Sequence, residues 1–377
     1  MGKNGKRAIK RSAAVLLAAG CFAIVAGNVP RETLVSIGQG MAMLSAGLQQ
    51  PEGGAVALSE RLERQPAEGN GTGSSENNHQ PGDGTSGNAD SQQPDGTGAV
   101  TAPVVNGEPP PRAEGGGDVV EEQFSAGSNF VQGVATKNAS SKTVDVAAEL
   151  AQKPDLGLTA TDEPQVLIMH THTTEAYMTY FAGYYNPDDP SRSTDNSRNV
   201  VAVGEAIAET LRAAGIGVIH DATVHDSPKY TGAYERSAAT VKSILEQYPS
   251  IKVVLDVHRD AIMRGDTTKI KPTVEIDGKK AAQIMIISSV TDTPSVPHPD
   301  WEQNLQFAVR LQSAVYNKYQ NLARPLYLVD SRYNQHLTHG SLLVEFGSDS
   351  NTLEEAVYSG QLLGKTLAQV LGELGAS

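Results

Sequence analysis

Three apolar runs of the chain each end in a side chain that can bind a metal or move a proton. VLIM at 166–169 runs into His170, Thr171, His172, Thr173, Thr174 and Glu175. VVLDV at 253–257 runs into His258, Arg259 and Asp260, and SLLV at 341–344 runs into Glu345. Eight of the nine histidines fall between residues 165 and 377, and only His79 lies before them. Imidazole nitrogen and carboxylate oxygen are ligands of zinc, and a catalytic zinc site takes three protein ligands and keeps one position for water. Such an ion lowers the pKa of its water to about 7 and polarises a carbonyl. A carboxylate beside it can take the proton and pass it to a leaving amine. The pattern therefore reads as a mononuclear zinc hydrolase site. Both imidazoles of His170 and His172, or one of them with Glu175, would join His258 on the metal. An extended His-x-His would present both rings to one side, because strand side chains repeat every two residues. Glu345 is assigned as the base, and Arg259 joins it in the catalytic set as a group that orients His258.

Simpler readings compete. A histidine at a strand end is commonly a satisfied polar cap, which suits His220 and His225. Arg259 and Asp260 could form an ordinary surface ion pair. His298 sits in the proline-rich loop TDTPSVPHPD and is expected at the surface. His336 and His339 precede the Glu345 run, near enough in sequence to stabilise an oxyanion. Glu354 and Glu355 open a helix, where negative charge is favourable anyway. Glu345 is harder to set aside. A carboxylate among Leu342, Leu343, Val344 and Phe346 is costly to bury unless paired or functional.

The elements that must position these groups alternate. Short apolar runs at 166–170, 216–221, 251–260 and 341–347 read as strands. Amphipathic stretches at 199–215, 234–249, 301–319 and 351–374 read as helices, two of them stopped by Gly215 and Pro249. Asp277-Gly278 marks a hairpin within 273–290. Alternation of this kind predicts an α/β domain with a mainly parallel sheet and helices on both faces. In such sheets ligands bind beyond the carboxyl ends of the strands, where the three runs end.

The rest of the chain differs. Five Lys or Arg precede the uncharged run 12–29, which is close to the roughly 20 residues that span a bilayer. The basic flank predicts a cytoplasmic tip and an uncleaved anchor over 1–30, with everything downstream on the extracytoplasmic side. A cleaved signal peptide is the alternative. Residues 31–162 contain GNGTGSSENNHQPGDGTSGNADSQQPDGTG and are expected to be a juxtamembrane segment and low-complexity linker, with a weak structured island at 131–158. The catalytic domain is expected over 163–377. The chain has 377 residues, aromatics at 5% and a net charge of −13. That charge argues against a sequence-independent nucleic-acid binder. The single cysteine excludes an intramolecular disulfide framework and any Cys-rich metal site.

The segments IMHTHTTEAY, STDNSRNVVAVGEAI, LDVHRDA, YNQ and SLLVEFGSDSN together resemble the stage II sporulation protein P family, and the resemblance covers essentially all of 163–377. It implies a membrane-anchored, zinc-dependent N-acetylmuramoyl-L-alanine amidase with added stem-peptide endopeptidase activity. Such an enzyme thins septal peptidoglycan during engulfment, together with a lytic transglycosylase and a membrane scaffold protein. The domain is also distantly similar to the zinc amidase-3 family, which implies a Zn²⁺ site matched by His172 (or His170) and His258, with Glu345 acting in catalysis. That family has a Glu at the opening of the first helix, where this chain has Asn196-Ser197-Arg198-Asn199. The second ligand stays open between Glu175 and the other imidazole of His-x-His. Two other functions compete: a metal-free wall-binding or scaffolding module, and a zinc carboxypeptidase or deacetylase on another wall amide.

Overall fold

A computed structural model describes residues 109–375, except 126 and 128. The expected anchor and most of the expected linker lie outside the described residues. Among those described, no helix is long and apolar enough to cross a membrane.

The strands are β1 (Gly117–Glu122), β2 (Phe130–Val131), β3 (Val134–Asn138), β4 (Val166–Met169), β5 (Tyr184–Tyr185), β6 (Val218–His220) and β7 (Val253–Asp260). They continue with β8 (Met263–Arg264), β9 (Thr268–Ile276), β10 (Lys279–Ala282), β11 (Ile284–Ser289), β12 (Leu326–Val329) and β13 (Gly340–Ser348). The helices are α1 (Val146–Ala151), α2 (Val200–Ala213), α3 (Ala233–Gln247), α4 (Trp301–Lys318) and α5 (Leu353–Leu374). The main sheet runs β2-β3-β12-β11-β13-β7-β4-β6. Its neighbours are parallel except at β2–β3 and β11–β13. The sheet is therefore mainly parallel, as the alternation of elements predicts.

Strand pleat divides the side chains between two faces. Val253, Leu255 and Val257 of β7 join Ile168, Leu342, Val344 and Phe346 in the large core under α2, α4 and α5. Leu167, Met169 and Val254 point the other way, onto Val241 of α3. Helices thus cover both faces. The α2–α5 contact is close because α5 carries Gly360 and Gly364 one turn apart. A Cβ at Gly364 would stand 2.8 Å from Thr210 Cβ, and one at Gly360 3.1 Å from the Val203 carbonyl oxygen. α5 opens with a Thr352/Glu355 capping box, which satisfies two amides the helix leaves open.

A second sheet, β10-β9-β1-β5 with β8 on β9, packs beside the first. Its β9–β10 hairpin turns at Asp277 (φ 51°) and Gly278 (φ 74°), the left-handed pair that two-residue hairpins need. Buried Lys271 of β9 bonds Glu355 at 2.7 Å and Glu121 of β1 at 3.0 Å. That ion pairing ties the second sheet to the start of α5.

The structure moves the start of the folded region. Residues 109–162 were expected to be linker, yet β1 pairs parallel with β9, and β3 extends the main sheet beside β12. Each of these strands borrows its partner from more than 140 residues away, so their composition looks unpacked while their pairing is not. The structured island at 131–158 corresponds to β3 and α1.

Replacing Gly364 with Val forces α2 and α5 apart. The expected loss is about 1–3 kcal/mol, the usual cost of overpacking, read from a urea midpoint. An unchanged midpoint would show that the helices have room to spare.

Candidate active site

Parallel strands β13 and β7 hold Glu345 directly opposite His258. Residues paired in this way point to the same face, here the α3 side. Asp256 shares that face, two residues before His258. Past Glu345 the register shifts between Glu345 and Ser348, and Gly347 takes φ 68° where a Cβ would collide with Asn351. A bulge of this kind re-aims side chains at a sheet edge.

His258 lies between two carboxylates. Its Nε2 is 2.7 Å from Asp256 Oδ1, and its Nδ1 is 3.5 Å from Glu175 Oε2. The Nε2 contact is a close ion pair whose alignment falls short of a geometric hydrogen bond. Asp256 is fixed by Thr171, whose amide donates to Oδ1 (2.8 Å) and whose hydroxyl donates to Oδ2 (2.7 Å). Glu175 Oε2 accepts the Arg259 amide at 3.0 Å. Burial alone would lower the His258 pKa, but the two carboxylates outweigh it and raise it well above the usual imidazole range. Burial would raise Glu175, but the pull of His258 outweighs that and lowers it. Burial raises Glu345 above the usual carboxylate range, with His258 opposing. Its Oε2 is buried and unpartnered.

His172 faces His258, with ring centroids 5.2 Å apart and planes near perpendicular. It stacks on Tyr230 at 4.4 Å, and its Nε2 shares a hydrogen bond with the Tyr230 hydroxyl at 2.9 Å. If that hydroxyl accepts from Nε2–H, Nδ1 carries the lone pair. Nδ1 is buried and has no partner. Burial holds the ring uncharged, lowering its pKa to about 3. Arg192 covers the outer face of Tyr230 at 4.6 Å. It pairs with Asp226 at 2.7 Å and reaches to 4.0 Å from Glu175.

Other expected residues are placed elsewhere. His170 stays on the opposite face. Its Nδ1 bonds the Val257 carbonyl at 3.0 Å and its Nε2 bonds His220 Nε2 at 2.9 Å, so both nitrogens are occupied. The extended geometry assumed for His-x-His fails because β4 ends at Met169 and the chain turns at once, with the Glu175 amide on the His172 carbonyl. Arg259, expected in the catalytic set, directs its guanidinium to the carbonyls of Ala176 (3.1 Å) and Ser191 (2.6 Å). It braces the 175–192 segment. His220 is no simple cap, since its Nδ1 also holds Glu205 at 2.6 Å. His225 does fit the cap reading, bonding the His170 carbonyl and Thr240. His298 is buried, not at the surface, and bonds Asn304 at 3.0 Å. His339 stands before Gly340, at the amino end of β13, and bonds the Asp155 carbonyl. His336 packs by His298. Neither of these last two is at the Glu345 end.

Asp256, Tyr230 and Tyr234 were not foreseen. Asp256 was legible in principle, since an i, i+2 pair with His258 in a buried strand shares a face. The two tyrosines offered no local signal.

Zinc is tested by the donor atoms present. His172 Nδ1 is buried and unpartnered beside the His258 ring and is free to serve as a ligand, whereas His258 Nε2 lies 2.7 Å from Asp256 Oδ1 and would have to leave that carboxylate to serve as one. Among the described residues no group of three or more His, Cys, Asp or Glu is arranged as a complete metal set.

The family model described as stage II sporulation protein P (SpoIIP) matches residues 106–368. The stage II sporulation protein P of Bacillus subtilis (strain 168) is 30% identical over 216 residues, covering 54% of this chain and 50% of the relative. The chain thus spans about half the length of that curated relative. Among solved structures, the N-acetylmuramyl-L-alanine amidase Ami1 of Mycobacterium smegmatis matches at 14% identity and TM-score 0.32, over 57% of this chain and 100% of its own. The CwlD amidase of Clostridioides difficile, solved in complex with the GerS lipoprotein, matches at 13% identity and TM-score 0.35, over 56% and 98%.

Burial lowers His336 to about 4 and lowers His298 too, while an unfolded imidazole titrates near pH 6.5. Between those values the unfolded chain binds more protons than the folded one. Their contribution to stability is therefore complete above about pH 6.5 and falls as the pH drops through that window. Urea midpoints of the metal-free domain should decline from about pH 7 to about pH 5, and His336→Asn should make the decline shallower. An unchanged slope in that variant would contradict the assignment.

Proposed function

The chain belongs to the stage II sporulation protein P family, and from that membership we propose that it is a zinc-dependent peptidoglycan amide hydrolase, an N-acetylmuramoyl-L-alanine amidase. The observation that carries the reading is the gathering of His172 Nδ1 and Glu345 Oε2, both buried and unpartnered, around His258 at the carboxyl ends of β7 and β13. Buried polar atoms are normally bonded, and a set left open together is arranged for something that arrives from outside.

His172 and His258 would hold the ion. Bound there, zinc supplies Lewis acidity and a water acidic enough to react near neutral pH. The chain's own groups do the rest. Tyr230 fixes the His172 ring through Nε2. Glu175, at His258 Nδ1, sets the ring's orientation, as a carboxylate commonly does behind a metal-bound imidazole, and Asp256 pairs with Nε2. Glu345 receives the proton of the attacking water and returns it to the amide nitrogen as the bond to carbon breaks. Its raised pKa suits a group that must both take and give a proton near neutrality.

Lactyl–alanine and stem-peptide bonds are both amides, so one site open enough for either would supply the endopeptidase activity as well. The N-terminal run at 12–29 would hold the enzyme in the membrane with its domain on the extracytoplasmic side. That layout suits a fixed polymer substrate, septal wall thinned during engulfment beside a lytic transglycosylase and a membrane scaffold.

Chelation should abolish release of soluble wall fragments, and zinc should restore it. Glu345→Gln should lower turnover by about 10²–10⁴-fold in a folded protein. Mass spectrometry of the fragments should show a free lactyl carboxyl and a free alanine amine. Activity that survives metal removal would reject the zinc assignment. Full activity in Glu345→Gln would favour a binding module contaminated by another lysin, and other end groups would point to a carboxypeptidase or deacetylase.

A further inference from the structure

Tyr234, in the first turn of α3, stands over the same face. Its ring meets His172 edge-on, with centroids 5.5 Å apart and planes at 85°, and Tyr333 packs against it at 5.5 Å. Its hydroxyl is buried and has no hydrogen-bond partner. Tyr230, four residues earlier, spends its own hydroxyl on His172. An unpaired buried hydroxyl weakens a fold, and phenylalanine would give the same ring packing without that cost. The group is a neutral donor against the His172 ring, whose Nδ1 also lacks a partner, on the face that carries Glu345 Oε2, likewise unpartnered.

We propose that Tyr234 is a catalytic residue whose hydroxyl donates a hydrogen bond to the carbonyl oxygen of the amide under attack. This rests on the amide-hydrolase reading above. As the water oxygen bonds to the carbonyl carbon, the C=O π pair moves onto that oxygen while Glu345 takes the water proton. Tyr234 keeps its own proton and stabilises the negative oxygen. When the C=O bond re-forms, the C–N bond breaks and nitrogen leaves with the proton from Glu345. A donor placed for the charged oxygen acts mainly in the transition state, so it should affect kcat more than KM.

The test uses the full chain with zinc bound. Tyr234→Phe should lower kcat by about 10²–10³-fold, with KM, zinc content and circular dichroism unchanged and a thermal midpoint no lower than wild type. A phosphinate analogue of the tetrahedral intermediate should bind the variant about 10-fold or more weakly, while a muramoyl-peptide product binds equally well to both. Wild-type turnover and wild-type phosphinate affinity in Tyr234→Phe, beside an inactive Glu345→Gln, would overturn the tyrosine assignment alone. A wild type that releases no lactyl and alanine end groups would overturn both readings.

Discussion

The pairing of β7 with β13 is the constraint on which the site depends. Parallel register sets Glu345 opposite His258, and pleat sends both to the face covered by α3. A slip of one residue would turn His258 into the apolar core beneath α2, α4 and α5 and bring Arg259 to the site. Such a slip is heavily opposed, because Val253, Leu255 and Val257 on one strand and Leu342, Val344 and Phe346 on the other are all buried on the far face. The core therefore fixes which polar residues meet.

Charge follows from that placement. His258 has a carboxylate on either side, Asp256 held by Thr171 and Glu175 held by the Arg259 amide. His172 sits uncharged on Tyr230. One imidazole is thus poised by anions and the other by an aromatic stack and a hydroxyl. The two rings meet edge to face with centroids 5.2 Å apart, and Glu345 lies opposite His258 on the neighbouring strand. Arg259 lies next to this chemistry in sequence but on the other face of β7, where it braces the 175–192 segment. His170 is similarly close in sequence and removed by pleat, and it anchors a hydrogen-bonded chain through His220 to the half-exposed Glu205.

Much of this could be read from the residues. The apolar runs at 166, 253 and 341 are strands, the helices fall where their spacing puts them, and the three runs end together at one edge. What escaped was non-local. β1 and β3 look like parts of a linker because their partners lie in β9 and β12, far along the chain. The turn after Met169 cannot be inferred from threonines and histidines alone, so the choice between His170 and His172 had no local answer. Tyr230 and Tyr234 reach His172 only because the loop into α3 folds over the sheet edge. His298 looked exposed in a proline-rich loop, yet Asn304 of α4 draws it inside.

The central proposal is that His172 and His258, which only the fold brings together, would hold a zinc ion. Its most direct test is anomalous diffraction at the zinc absorption edge from crystals of the zinc-loaded domain. The account predicts one strong peak at about 2.0–2.1 Å from both His172 Nδ1 and His258 Nε2, with Glu345 facing it. A peak on His170, or none near His258, would contradict it.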